Sequence, residues 1–493
     1  MDDPYGTADW LLSQLDANDE VAYAEVGGVE RTGFDIVMRD GNTYTAKPSQ
    51  SMVWFRIFSD GAADYRYTNT LERSHLDDLI ERAIRSCRHL NQSAPASYDA
   101  GSFHRETHNG WAPSDRIDDA DVEAVVTRVG SAKDSAFADV FIDRSRIETK
   151  GTQVDQVLLT TTGSVVLTAL SRMSVDLTVV PDSGTKIREH AGSTTGTQFL
   201  NRIDSVFSTA AERALHTTEV DVVNVDESTS VTGLDCDVVL SPTAAGKLFH
   251  HISHFFERDT IYLGAKPFEM GEEIGPNSLT VTDILRPGAW GARAYDAEAT
   301  PTRPVTLIEN GIVTNFLDNT ASAAEEGTIP QGHAIPSLGA EHPPRIHVRN
   351  LEVGAGSTPI SRMLANTDLY IEQLGEGRLL NEATRTKRFS TFPPTVLYAK
   401  DAKERTPQGY NETSDQRIQF PIREGYIVVD GEKTAMVNGA TLEFSISDLD
   451  SISAVGVETE DQTGTCEKHT SRIPYTVTAP AIRIKTCVLG RRQ

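Results

Sequence analysis

A polar stretch at residues 217–232 divides the chain into two parts that carry different sequence patterns. Before it, short apolar runs alternate with turn signals such as Arg39-Asp40-Gly41-Asn42 and with segments of helical spacing. After it, the chain is richer in glycine, proline and β-branched residues, a composition that favours many short strands. We therefore predict an α+β fold, with an N-terminal α/β domain at residues 1–220 and a mostly antiparallel-β C-terminal domain at residues 226–493 that carries a motif helix. A polar, irregular segment at about 380–411 is interpreted as a flexible insertion in the second domain.

The chain is strongly acidic. In its 493 residues, 71 Asp and Glu stand against 46 Lys and Arg, which gives a net charge of −25. Lysine is scarce, because only 12 of the 46 basic residues are lysines. Both biases are typical of a protein kept soluble in concentrated salt, where screening removes the self-repulsion, and they predict a halophilic source. The same charge argues against direct nucleic-acid binding, which needs a basic surface.

The sequence contains no signal for a membrane or for secretion. No segment approaches the run of about 18 apolar residues that spans a bilayer. The first residues lack the basic and apolar regions of a secretory signal. The cysteines are scattered and form no CxxC pair, which suits a reducing compartment; they are Cys87, Cys236, Cys466 and Cys487. We expect a cytoplasmic protein without a membrane partner.

Three histidines lie in one short segment that has the pattern of a helix. Ser241 and Pro242 form a strong helix start, with serine as the N-cap and proline at the first helical position. His250 and His254 stand four positions apart, so both lie on the helix face opposite the apolar residues, where one metal ion could bind both. His251 lies on the flank of that face. The spacing therefore indicates a candidate metal site.

A metal site of this kind needs further ligands, because zinc usually takes three protein groups in a catalytic site and four in a structural one. Cys466, in the turn-like segment Gly464-Thr465-Cys466, is the candidate third ligand. The same residues also fit plainer interpretations, an ordinary solvated helix face for the histidines and a small apolar filler for the cysteine. The residues alone leave both interpretations open.

Several sequence blocks, in a shared order, resemble the TldD/PmbA family of metallopeptidase-related proteins, which are also called modulators of DNA gyrase. The blocks are residues 238–248, Met270-Gly271-Glu272, Thr300-Pro301-Thr302, residues 307–313, 424–432 and 437–442, and Gly464-Thr465-Cys466. The similarity covers most of the chain and is clearest from about residue 236. It implies that residues 1–220 correspond to the family's N-terminal and central regions and that residues 226–493 form a metallopeptidase-like domain.

The histidine segment departs from the family's motif. The family's peptidase subunit carries His-Glu-x-x-x-His on this helix. If His254 is the second histidine of the motif, Phe249 replaces the first and His250 replaces the general-base glutamate. With the register shifted by one, His250 and His254 are ligands and His251 replaces the glutamate. The catalytic residue is therefore unknown: His251 or His250 stands where the base should be, and losing such a base costs about 100- to 10,000-fold in rate.

The resemblance implies a protein that holds zinc through His250, His254 and Cys466 and acts on unfolded or extended peptides captured along sheet edges. One hypothesis is a TldD/PmbA-type metallopeptidase-like protein. The alternative is a non-catalytic paralogous subunit that completes a heterodimeric peptidase with an intact partner, and a stand-alone binding protein is a third hypothesis. A homodimer, or a heterodimer with a TldD/PmbA paralogue, is expected in either of the first two cases.

Overall fold

A computed structural model describes residues 3–59, 62–90, 107–109, 115–224, 234–262, 268–380, 417–468 and 471–491. The insertion predicted at about 380–411 lies outside these residues from position 381 onward. The α-helices are α1 (Pro4–Asp16), α2 (Arg73–Leu90), α3 (Val122–Ala136), α4 (Ile203–Glu219), α5 (Pro242–Ser253), α6 (Arg258–Tyr262), α7 (Thr320–Glu326) and α8 (Ile360–Leu364).

The strands fall into two large sheets and one small one. Those up to residue 193 are β1 (Tyr23–Arg39), β2 (Asn42–Ala46), β3 (Ser49–Ser59), β4 (Ala62–Thr68), β5 (Thr107–Asn109), β6 (Ile142–Thr160), β7 (Val165–Pro181) and β8 (Ile187–Ser193). The later strands are β9 (Asp221–Asn224), β10 (Leu234–Leu240), β11 (Val281–Asp283), β12 (Val305–Glu309), β13 (Ile312–Val313), β14 (Ala334–Ile335), β15 (Arg345–Ile346), β16 (Asn350–Val353), β17 (Leu369–Leu374), β18 (Arg378–Leu380), β19 (Arg417–Val429), β20 (Glu432–Asn438), β21 (Ala440–Ser445), β22 (Ile452–Lys468) and β23 (Ser471–Arg491).

The first sheet contains β1 to β8 in the order β4-β3-β1-β6-β7-β5, with β2 paired to β1 and β8 to β7. Its described pairings are antiparallel except that of β5 with β7. The turn between β1 and β2 places Asp40 and Gly41 at positive φ (48° and 83°), which a two-residue hairpin requires. Helices α1 and α2 bury one apolar cluster against this sheet, and α3 and α4 bury another.

The second sheet runs in the order β13-β12-β11-β16-β23-β10-β17-β19-β20-β9, while β18 and β21 pair with β19, and β21 and β22 pair with β23. The strands β22 and β23 form a long antiparallel hairpin, and α5 packs against it. Gly246 permits this close approach, because a Cβ at that position would lie only 3.0 Å from the Cβ of Gln462 on β22. The largest apolar cluster of the described residues lies between α5 and this sheet.

Buried ion pairs join the two sheets. Arg56 on β3 donates hydrogen bonds of 2.8 Å to both carboxylate oxygens of Glu25 on β1, and one of 2.6 Å to Glu298 from the second part of the chain. Burial raises the pKa of Glu25 to about 7, and the nearby Glu298 adds to the effect while Arg56 opposes it. Arg213 on α4 similarly contacts Glu424 on β19. The relative placement of the sheets therefore rests on specific charged contacts as well as on apolar packing.

The predicted α+β class is confirmed. Within the first part, helices and strands occur as expected, but the sheet is largely antiparallel. Short turns join β1 to β4 in sequence and β6 to β8, whereas α2 and α3 lie in the connections from β4 to β5 and from β5 to β6. Part of the polar stretch at 217–232 is the strand β9, which pairs with β20 in the second sheet. Among the helices that the structure describes, none combines the length and apolar character needed to cross a bilayer.

Candidate metal centre

The helix that carries the histidines begins where the sequence predicts. Ser241 follows β10, and its Oγ accepts a hydrogen bond of 3.0 Å from the backbone N–H of Ala244, while Pro242 occupies the first helical position. The same Oγ donates to the backbone oxygen of Glu372 on β17 at 2.8 Å. The Ser241 side chain therefore caps the N-terminus of α5 and also links the helix to the neighbouring strand β17 by a hydrogen bond.

Helix α5 is enclosed on all sides. Every residue from Ala244 to Ser253 is buried, including His250 and His251. The chain then tightens into a 3₁₀ turn at His254–Phe256, which is also buried. The histidines therefore face other parts of the protein rather than solvent, so the plainer interpretation of a solvated helix face is wrong.

Four side chains from distant parts of the chain meet beside α5. His250, His254, His347 and Cys466 each offer one ligand atom, and these four atoms all lie within 4.8 Å of one another. The Sγ atom of Cys466 on β22 lies 3.6 Å from Nε2 of His254. The ring centroid of His347, which lies between β15 and β16, is 5.4 Å from those of both His250 and His254. We call this group the metal centre.

A buried charged network holds His254 in place. Its Nδ1 donates to the Oε2 atom of Glu257 at 2.9 Å, which leaves Nε2 directed at Cys466. Glu257 accepts a 2.6 Å bond from Lys468 Nζ, which also donates to Asp259 at 2.6 Å and to the backbone oxygen of Ile346 at 2.7 Å. A carboxylate on the outer nitrogen of a histidine is the arrangement that orients metal-ligating histidines in many proteins.

The other two histidines are also oriented for binding at the centre. The Nδ1 atom of His347 donates to the backbone oxygen of Val348 at 2.5 Å, so Nε2 keeps its lone pair. That Nε2 atom is buried and has no hydrogen-bond partner among the described residues. His250 stacks on the ring of Tyr475 at 3.6 Å between centroids and 5° between planes, and its buried Nδ1 also has no partner in the described part of the chain.

The charges within the centre favour the metal-binding forms of Cys466 and His250, whereas His254 must release a proton before its Nε2 can bind a metal ion. Burial by itself would raise the pKa of Cys466, but the charge and the hydrogen bond of His254, together with the nearby His347, lower it to about 6. Burial opposes the charge on His254, yet Glu257 and Cys466 raise the pKa of His254 to about 10. Burial and the neighbouring histidines hold the pKa of His250 well below its ordinary value. The thiol therefore ionises near neutral pH and His250 stays neutral.

This donor set fits zinc. Three imidazoles and one thiolate are ligands that zinc commonly takes, and two of the imidazoles have buried nitrogens that otherwise lack a partner within the described residues. The structure thus brings together the three residues that the sequence and the family resemblance indicated, His250, His254 and Cys466. It adds His347, which sequence reasoning missed because nothing near His347 in the sequence marks it.

His251 and His250, the two candidates for the missing base, are placed differently. His250 belongs to the group of four. His251 does not: its Nε2 accepts a hydrogen bond of 3.1 Å from the backbone N–H of Gly377, and its ring packs against Phe420 with 5.2 Å between centroids. The Oε2 atom of Glu376 lies 3.7 Å from His251 Nε2. The four-residue group contains no Asp or Glu from the described ranges, so the carboxylate base of the family motif has no replacement among these ligands.

A cleft of about 750 Å³ lies next to the metal centre, between the two sheets. Strands β1, β6, β7 and β8 line one side of it. The other side includes Lys247, one turn before His250, together with Glu376 and Thr465, which precedes Cys466. Lys247 Nζ donates to Glu376 Oε1 at 2.6 Å and to the hydroxyl of Tyr475 at 3.2 Å. The volume is within the usual range for a ligand site.

The fold and the centre define an α+β protein with a His/His/His/Cys cluster, its three histidines buried, that could bind a metal ion. Comparison with known families agrees with this description. Residues 24–87 match the PmbA/TldA metallopeptidase domain 1, and residues 233–408 match the PmbA/TldA metallopeptidase C-terminal domain. These matches support the TldD/PmbA family, as the sequence resemblance predicted.

Individual relatives extend this result over the whole chain. A protein named "Metalloprotease" from Methanothermobacter thermautotrophicus is 24% identical across 98% of each chain. The "Zinc metalloprotease TldD homolog" of Saccharolobus solfataricus is 24% identical across 51% of each chain. The fold resembles that of TldE from Thermococcus kodakarensis, with a TM-score of 0.65 and 14% identity over 98% of this chain and 100% of that one. It also resembles a candidate modulator of DNA gyrase from Thermotoga maritima, with a TM-score of 0.69 and 17% identity over 98% and 99%.

Proposed function

We propose that this chain is a peptidase-like protein that binds zinc at the metal centre and extended peptides in the adjacent cleft. The observation that carries the proposal is the convergence of four ligand atoms within 4.8 Å, beside a cleft that reaches both sheets. The names of its relatives, which include a zinc metalloprotease, support the same activity class.

Four residues would bind the zinc ion, and a further residue orients one of these ligands. His250, His254, His347 and Cys466 would hold zinc, which when bound supplies a Lewis acid that polarises a peptide carbonyl and activates water. Glu257 keeps the proton of His254 on Nδ1 and so reserves Nε2 for the ion. The three histidines are buried, and the cleft lining includes Lys247 and Thr465, which are close in sequence to His250 and Cys466.

Glu376 is the carboxylate that lies between the cleft and the histidine helix. It lines the cleft, contacts Lys247 and approaches His251. Burial works against its charge, but Lys247 and His251 hold the pKa of Glu376 well below its ordinary range. A carboxylate with so low a pKa is a weak base at neutral pH, so we expect slow hydrolysis, about 100- to 10,000-fold below that of a site with a tuned base.

A second function, that of a non-catalytic subunit in a heterodimer with an intact TldD/PmbA paralogue, is favoured by one observation. The metal centre offers four protein ligands and no carboxylate among the described residues, a set that resembles closed structural zinc sites more than open catalytic ones. In this case zinc stabilises the fold and the partner supplies the base.

The two functions are separated by measuring zinc content and cleavage together. The full-length chain, purified in high salt and loaded with zinc, is incubated with an unfolded protein and with unstructured peptides. Cys466→Ala and His254→Ala serve as controls that remove a ligand. We expect near-stoichiometric zinc in the wild type and clearly less in both variants, with slow cleavage that the variants lack.

Each outcome has a defined meaning. Zinc content in the wild type no higher than in the two variants would contradict the metal claim. Zinc binding without cleavage by the isolated chain, together with cleavage once the paralogue from the same source is added, would replace the first function by the second. Cleavage that is equal in the wild type and in Cys466→Ala would show a contaminating peptidase.

A further inference from the structure

The lining of the cleft carries more basic than acidic side chains, although the protein as a whole is acidic. Six Lys and Arg residues line the cleft against four Asp and Glu, whereas the whole chain has a net charge of −25. The basic residues are Arg31, Lys150, Arg172, Lys247, Arg423 and Arg472, and the acidic ones are Asp35, Asp176, Glu341 and Glu376. A local reversal of charge in a concave surface focuses the electrostatic field on anionic ligands.

Arg172, in the middle of β7, is the unusual member of this group. Its exposed fraction is 3%, yet Nε and Nη2 are buried and make no hydrogen bond to any described residue. Its guanidinium carbon lies 5.9 Å from the ring centroid of Trp290, which also lines the cleft. Burial is the main cause that lowers the pKa of Arg172, and the positive charges of Arg293 and Arg31 lower it further. Arg172 is thus buried among like charges.

Two other buried arginines are paired with carboxylates, unlike Arg172. Arg56 is paired with Glu25 and Glu298. Arg349 donates to Asp283 from both Nε and Nη2, at 2.9 and 2.7 Å. A buried guanidinium with unused donors is costly, and an anion that accepts those donors removes the cost. The position of Arg172 on the cleft wall makes the cleft the route by which such an anion can reach it.

We propose that Arg172 is the centre of a subsite that binds a carboxylate group of a peptide lying in the cleft. This inference rests on the proposed peptide-binding function and names the part of the substrate that the cleft recognises. The planar guanidinium donates two parallel hydrogen bonds that match a carboxylate, and Trp290 forms an apolar wall beside them.

The balance of charge around Arg172 favours a monoanion. Arg31 and Arg472 add positive charge at the wall, while Glu341 and Asp35 compensate Arg31 in part. The same cleft reaches Lys247 and Thr465, which border the metal centre. A peptide held by its carboxylate at Arg172 would therefore extend along the cleft towards that centre.

Two sources of the carboxylate are distinguished by matched peptides. The first pair of hexapeptides contains only Ala and Gly and differs in having a free or an amidated C-terminus. In the second pair both C-termini are amidated, and a central residue is Glu or Gln. Binding is measured by calorimetry to the full-length chain carrying Cys466→Ala, so that no peptide is consumed.

We expect the carboxylate form of at least one pair to bind about 10- to 100-fold more tightly than its neutral match. This ratio corresponds to the free energy that hydrogen bonds to charged groups usually contribute. Arg172→Met should reduce the ratio to about 1. Lys150→Met is the matched control, because Lys150 lines the same cleft but is half exposed and already lies 3.8 Å from Glu148. It should leave the ratio nearly unchanged.

Equal binding of both forms in both pairs would overturn the proposal, and so would a preference that survives in Arg172→Met. Thermal unfolding without peptide checks the variant, since replacing an unpartnered buried charge by an apolar side chain of similar length should not lower the melting temperature. Failure of the proposed function gives a different result. If the wild-type chain cleaves no peptide but prefers the carboxylate form, and Arg172→Met loses that preference, the subsite is supported and only the hydrolysis is contradicted.

Discussion

Replacing Glu257 by glutamine tests whether the network behind His254 serves the metal centre. Glu257 is fully buried and joins Nδ1 of His254 to Lys468. Glutamine keeps the volume and one acceptor oxygen but removes the charge. The expected effect is weaker zinc binding, because a neutral amide no longer stabilises the His254 tautomer that directs Nε2 at the ion.

The size of the effect follows from related sites, in which losing such an outer contact weakens metal binding by about 10- to 100-fold. This ratio corresponds to about 1.4 to 2.8 kcal/mol. Asp259→Asn is the matched control, because Asp259 accepts from Lys468 Nζ at the same 2.6 Å as Glu257. Each variant removes one of the two negative charges that contact Lys468. Of these two carboxylates, Glu257 is the one that also contacts His254.

Zinc affinity is measured for the wild type and both variants by competition with a chromophoric chelator, and stability by denaturant unfolding without zinc. We expect Asp259→Asn to bind zinc within about 2-fold of the wild type. Equal zinc affinities for Glu257→Gln and Asp259→Asn, with both variants folded, would refute the role assigned to Glu257.

Three further predictions concern the ligands, the sheet interface and the surface charge. In the same competition assay, His347→Ala should weaken zinc binding by at least about 100-fold, whereas His251→Ala should nearly retain it, and the reverse order would exclude the four-residue centre. The pKa of Glu25 is raised from 4.5 to about 7, so its contribution to stability is complete below pH 4.5 and is lost as the pH rises towards 7. Relative to the wild type, Glu25→Gln should therefore gain up to about 3 kcal/mol across this window in unfolding free energy, and a constant difference would contradict the prediction. Finally, raising KCl from about 0.2 to 2 M should raise the melting temperature, because screening reduces the repulsion of a chain with net charge −25; a lower melting temperature at high salt would contradict the halophilic interpretation.

The sequence predicted those parts of the fold that depend on local signals. The start of α5 was correct because Ser241 and Pro242 act within one helical turn. The hairpin at Asp40 and Gly41 was correct because its positive φ angles favour those residue types. The pairing of strands far apart in sequence was not predictable in this way. The parallel contact of β16 with β23 joins Asn350 to Thr476, and no periodicity in a single chain encodes such a contact.

The metal centre shows the same division between local and distant information. His250 and His254 were found by their spacing, and Cys466 by family resemblance. His347 lies about a hundred positions beyond His254 and reaches the centre only because β15 and β16 carry it there. The contact of Glu257 with His254 was not part of the sequence prediction, and it forms where the helix tightens at His254 into a 3₁₀ turn, in which residues three apart eclipse.

Zinc X-ray absorption spectroscopy of the full-length protein in its reduced state identifies the ligand atoms around the ion directly. Zinc binding by the four residues of the metal centre predicts one sulfur neighbour at about 2.3 Å and imidazole nitrogens at about 2.0–2.1 Å, with the sulfur contribution absent in Cys466→Ala. A spectrum that contains only nitrogen and oxygen neighbours, and that is the same in the wild type and in Cys466→Ala, would contradict zinc binding by His250, His254, His347 and Cys466.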